Sequence, residues 1–137
     1  MRFLLTTALI CAFFGVSYSQ KTSTVHNVGK DKDGDVWYLD TSLVVKANPP
    51  ADWLRVMPIY TQLPGRTLVF MFNVDCTDST YQFVKAFSMD RGGNLLFEET
   101  NRSAWSRFAG YSGNAARMVC REAQGLPIIN DSRIIGR

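Results

Sequence analysis

The sequence is poor in the residue types that reactive centres use most. Histidine occurs once in the 137 residues, as His26. A zinc-type centre takes several ligands from histidine, cysteine and carboxylates, and a thiol nucleophile needs a base beside it. His26 stands in a polar stretch that supplies neither, so no metal and no cofactor is expected. No nucleophile–base pair and no phosphate-binding glycine loop is visible. Asp75 and Asp78 lie near a turn without a recognisable partner, so the chain reads as a non-enzyme. Runs of one charge sign, low-complexity segments and internal repeats are missing. Fifteen basic side chains face 12 acidic ones, a net charge of +3. That excess is too small to argue for nucleic acid. The apolar run over residues 3–16 is 14 residues long, short of the ~20 that a spanning helix takes.

That run has another use. Arg2 before it and Ser17-Tyr18-Ser19 after it complete the layout of a secretory signal over residues 1–19, with cleavage expected before Gln20. No stable membrane insertion is expected after cleavage. Ile10 is too large for the position before a lipid-modified cysteine, so Cys11 is expected to leave with the signal. Without those residues 118 remain, with 14 basic and 12 acidic side chains and a net charge near +2. That length makes one domain with room for a real core.

Residues 20–33 are polar without an apolar period and read as a flexible leader. Within them begins Asp31-Lys32-Asp33-Gly34-Asp35. A calcium loop of the EF-hand type wants glycine at its sixth position and glutamate at its twelfth. Here Gly34 is fourth and Ser42 twelfth, so the stretch reads as a solvated turn.

From there the pattern is β. Strands are expected at residues 35–40, 43–47 and 53–60, the last confined to an edge or cut short by Pro58. A long hairpin follows, with strands at 68–76 and 81–90 and a polar turn at 77–80. Period two puts Leu68, Phe70, Phe72, Val74 and Cys76 on one face. The same period puts Tyr81, Phe83, Phe87 and Met89 on one face of the second strand, together with Lys85. Asp90-Arg91-Gly92-Gly93-Asn94 is the next turn and residues 95–99 the sixth strand. Trp105 and Phe108 are the expected core anchors of an irregular stretch. Ser112 is a good N-cap, and Ala116, Val119, Cys120 and Ala123 then fall on one helical stripe. Gly125 and Pro127 end the helix, and residues 126–137 form a C-terminal tail.

Two cysteines remain in the exported chain, and an even pair there reads as a disulfide. Cys76 is on the apolar phase of its strand and Cys120 on the buried stripe of its helix, so both point at one interface. The fold class expected is α+β: an antiparallel sheet of about six strands, with the C-terminal helix packed on one face and disulfide-linked to it.

The order of features resembles the bacterial surface-adhesin protein E family over residues 34–125. The features are Trp37-Tyr38-Leu39-Asp40 followed by Ser42-Leu43, a long strand ending in Asp75-Cys76 that turns straight back, and the short helix Asn114-Ala115-Ala116-Arg117-Met118-Val119-Cys120. The resemblance implies the same sheet, helix and Cys76–Cys120 bond. It also implies a Gram-negative envelope protein, in the periplasm or on the outer surface, that binds a partner protein such as a host matrix or serum protein. Arg66, Lys85 and Arg91 are the side chains expected to meet an acidic partner. The alternative is a periplasmic carrier that holds a small apolar ligand on the concave face of the sheet.

Overall fold

The computed structural model describes residues 24–126. The expected signal at 1–19 and all of the expected tail beyond Leu126 lie outside the described residues. The strands are β1 (Val25–Lys30), β2 (Val36–Asp40), β3 (Val45–Lys46), β4 (Leu54–Leu63), β5 (Arg66–Asp75), β6 (Thr80–Asp90), β7 (Leu95–Thr100) and β8 (Ser106–Arg107). One helix follows, α1 (Gly110–Ala123). Six strands lie side by side in the order β1-β2-β4-β5-β6-β7, while β3 attaches to β4 and β8 to β6. All pairings are antiparallel. The α+β architecture expected from the sequence is the one observed.

The β5–β6 hairpin lies between β4 and β7, and its two strands are rich in side chains that fit a pleated, half-buried surface. Asp75 makes its turn. Its Oδ1 accepts from the amides of Thr77 (2.9 Å) and Asp78 (3.1 Å), and Ser79 then adopts φ 54°. The first strand keeps its expected faces: Leu68, Phe70, Phe72, Val74 and Cys76 all belong to or pack on the core. The second strand does not. Phe72 pairs with Phe83 but Met71 with Lys85, which leaves Val84 as an extra residue, a β-bulge. One extra residue reverses the phase of everything after it. Ala86 and Ser88 therefore turn inward and are buried, while Lys85, Phe87 and Met89 lie on the opposite face from Tyr81 and Phe83. The expected grouping is corrected accordingly.

α1 lies on β1, β2 and β4. Its packed side is lined by Gly113, Ala115 and Ala116, small enough for a close approach, and by Met118, Val119 and Cys120. They meet Val28, Trp37, Leu39, Met57, Ile59, Phe72, Val74 and Tyr81 in one core. Ala123, expected on the stripe, is exposed. Cys76 and Cys120 are bonded, with Sγ atoms 2.07 Å and Cα atoms 5.3 Å apart across 44 residues of sequence. The helix ends as glycine permits. Gly125 takes φ 70°, its amide donates to the Glu122 carbonyl, and that of Leu126 donates to Arg121, the Schellman arrangement.

Other expectations change. The stretch read as a flexible leader contains β1, whose Val28 is fully buried. The pattern hid it because Val28 sits in a second bulge, between Asn27 and Gly29, where period two fails. Pro58 neither ends nor displaces β4. It falls between the residues that pair with β3 (Arg55, Val56) and those that pair with β2 (Ile59 to Thr61), a local edge inside a long strand. Trp105 is 44 % exposed and anchors nothing in the core, whereas Phe108 does pack on it. Ser112 is not the N-cap. Ala109 holds that position, and the Ser112 hydroxyl, inside the first turn, meets the Tyr81 hydroxyl at 2.9 Å.

Candidate functional site

The sheet has two ends, and they differ. β1 is folded under α1 through Val28, and Asn114 Nδ2 donates to the Val28 carbonyl at 3.0 Å. At the other end β7 is uncovered, and every one of its six residues is exposed. Leu95, Leu96 and Phe97 are 58, 55 and 50 % exposed, with Trp105 just beyond. An edge strand presents a row of unpaired backbone donors and acceptors, a template for another strand. Beyond β7 the chain keeps following β6. Ser103 fills the break at the Val84 bulge, its hydroxyl accepting from the Phe83 amide (3.0 Å) and its amide donating to the Phe83 carbonyl (3.0 Å). The open edge is thus backed by an ordered ladder.

The three cations expected to meet a partner are not gathered. Arg66 opens β5 opposite Asp90, and Arg91 follows Asp90 in the next turn, so these two share one end of the sheet. Lys85 sits on the opposite face from Arg66, because of the bulge. Its Nζ lies 3.2 Å from Glu98 of β7 and 5.7 Å from the Phe87 ring centre. That exposed pair contributes at most about 1 kcal/mol, but it neutralises the charge locally. Around it the outer face carries Val69, Met71 and Phe87, with Tyr38 stacked on Tyr60 at 5.7 Å. Burial raises the Tyr60 pKa above its ordinary value, with the Asp40 charge adding to the effect.

On the concave face α1 fills one half of the curl and leaves a cleft of about 580 Å³ beside its first turn. Trp37, Leu68, Phe70 and Tyr111 line its apolar wall. Trp37 stands between Phe70 (4.5 Å) and Tyr111 (5.1 Å). Asp31, Asp33 and Asp35 stand at the rim, with carboxylate oxygens within 4.8 Å of one another. Asp31 organises the turn between β1 and β2, where the sequence predicts a solvated turn into the first strand. It accepts from Trp37 Nε1 (3.0 Å) and from the amides of Asp33 (2.9 Å) and Asp35 (3.0 Å). The Trp37 bond first, then these amides, hold its pKa below the ordinary aspartate value. Burial pushes the Tyr111 hydroxyl up, and the Asp31 charge adds to the push.

The open edge was missed in the sequence because the pattern of residues 95–99 marks a strand and does not say which strands stand beside it. The phase slip did leave a signal: period two carried through residue 84 forces Lys85 onto the apolar face. Comparison with protein-family models, with curated proteins and with solved structures finds no match for this chain.

Proposed function

We propose that this is an exported envelope protein that binds another protein, adhesin-like, with β7 as the docking edge. The observation that carries this reading is the exposure of all six β7 residues, three of them large and apolar, on an edge with free backbone groups. An extended segment of the partner adds to the edge by main-chain hydrogen bonds, and alternate side chains select it. Arg66 and Arg91 at one end of the sheet steer an acidic approach. The order of features, which resembles that of the surface-adhesin protein E family, supports this reading.

The test is capture of partners from envelope extract and from host matrix proteins, with the unmodified chain beside Leu96→Lys and Phe97→Lys. Both side chains are half exposed, so neither change disturbs the core. A partner held by the unmodified chain and lost from both variants is the expected result, and reversing Arg66 and Arg91 together should slow its association. Equal retention by both edge variants would place the contact elsewhere.

The cleft beside Trp37 favours a second reading, the periplasmic carrier of a small apolar ligand. Its volume is in the range of ligand sites, ~300–1,000 Å³. Saturable uptake of the neutral probe N-phenylnaphthylamine, lost in Phe70→Glu, is the result expected of a carrier, and no uptake would dismiss it.

A further inference from the structure

A second cavity, of about 500 Å³, lies where the β5–β6 hairpin tip, β8 and α1 meet. Three arginines line it, Arg107, Arg117 and Arg121, against one carboxylate, Asp78, with Ser79 and Gln124 beside them. In a chain whose charges nearly balance, this is a local excess of positive charge. One of the three is held in place. Arg117 Nη1 donates to Asn114 Oδ1 (3.1 Å) and Nη2 to the Phe108 carbonyl (3.3 Å). These bonds use two of the five N–H donors of the guanidinium and aim the group. The backbone of Arg107 is placed at the rim by the pairing of β8 with Thr80. Arg121 stands one turn after Arg117, on the same side of α1. Neither Arg107 nor Arg117 is ion-paired with a carboxylate among the described residues. The hairpin tip that brings in Asp78 and Ser79 is set by Asp75, and Ser79 adopts the left-handed conformation that few non-glycine residues take.

From this arrangement we infer that the cavity binds a phosphorylated sugar-like ligand. The guanidinium fork matches phosphate oxygens two at a time, and converging forks suit a dianion. The cavity is far larger than a bare oxyanion, and its other groups describe the remaining body. Asp78 accepts only, so it suits hydroxyl donors and disfavours a second anionic group. Ser79 and Gln124 both give and accept hydrogen bonds. Phe108 and Cys120 add an apolar surface for the face of a ring. The phosphate could come on a soluble sugar or on a lipid headgroup, and the two sources share this chemistry.

Calorimetric titration of the full chain with glucose-6-phosphate is the first arm, with glucose and inorganic phosphate as controls. Co-sedimentation with phosphatidylcholine vesicles, with and without phosphatidylinositol phosphate, is the second. Binding of glucose-6-phosphate but not glucose, weakened at least tenfold in Arg107→Ala and in Arg117→Ala and unchanged in Arg102→Ala, an exposed arginine outside the cavity, is the expected result. Binding to the phosphorylated vesicles alone, released by the same two substitutions, supports the site with a headgroup as its source. Arg107 is exposed, so its variant folds even if loss of the two Arg117 bonds loosens α1. No binding in either arm at millimolar ligand, or binding by Arg107→Ala equal to that of the unmodified chain, overturns the inference.

Discussion

Single side chains hold local features of the sheet that backbone pairing leaves open. Asp31 ties the β1–β2 turn to the Trp37 indole, and its pKa is held down first by that bond. A carboxylate whose folded pKa is depressed adds stability that is fully present above its unfolded pKa, near 3.8, and is lost as pH falls through the lower folded value. Asp90, held down by Asn94, and Asp40, held down by Ser42, act in the same direction. Unfolding midpoints should therefore drop as pH falls below about 4. In Asp31→Asn that acid slope should be shallower. Denaturant melts at pH 7 and at pH 3 measure both, and equal slopes would deny Asp31 the role. Asn114 does the corresponding work for β1, whose bulge leaves the Val28 carbonyl to a side chain. Asn114→Ala leaves that buried acceptor unsatisfied and should cost about 1–3 kcal/mol. Faster hydrogen exchange confined to β1 would show that the loss is local.

The helix illustrates how an element's neighbours reverse a local rule. Glycine inside a helix is ordinarily ~1 kcal/mol worse than alanine, so Gly113→Ala would stabilise an isolated α1. In the folded chain a Cβ at Gly113 would stand 2.7 Å from the Phe108 carbonyl carbon, a backbone atom that no side-chain rotation can move away. The substitution should therefore lower the thermal midpoint, and a rise would show that the connection from β8 to α1 yields. The hairpin carries the opposite lesson. Its first strand and turn were legible because alternation holds over all of β5 and because Asp75 makes its turn by local bonds. Its second strand was legible only up to the Val84 bulge. A bulge is set by what the neighbouring strands pair with, and Asn101 and Ser103, which hold it, lie far along the chain.

At the scale of the molecule, the disulfide joins the two elements whose packing makes the core. It closes 44 residues of chain, for which restriction of the unfolded state gives about 4 kcal/mol in the loop-entropy account. Replacing both cysteines, Cys76→Ala with Cys120→Ala, should cost about 2–4 kcal/mol and leave the sheet in place. Equilibrium unfolding gives the loss and far-ultraviolet circular dichroism the sheet. A collapse of the sheet signal would mean that the bond does more than hold α1. The same bond lies beside the arginine-lined cavity, so the double variant is also expected to weaken any ligand there. Among the described residues no helix is long and apolar enough to cross a membrane.

The class of fold, most strand positions, the helix with its C-terminal stop and the partnership of Cys76 with Cys120 are legible in the residues alone. Each of these rests on a short-range regularity: period two, period 3.6, a glycine after the last turn, two cysteines on apolar phases. Tertiary structure decided the rest, because the rest depends on pairs far apart in the chain. Val28 is buried only because α1 arrives more than eighty residues later to cover it. Lys85 faces outward only because β7 and Ser103 stabilise an extra residue in β6. Trp105 and β7 are exposed because nothing in the described chain returns to cover that edge, although their composition matches that of strands that are covered. Arg107 and Arg117 face one cavity because β8 and α1 meet there, and no spacing in the sequence relates a two-residue strand to a helix face.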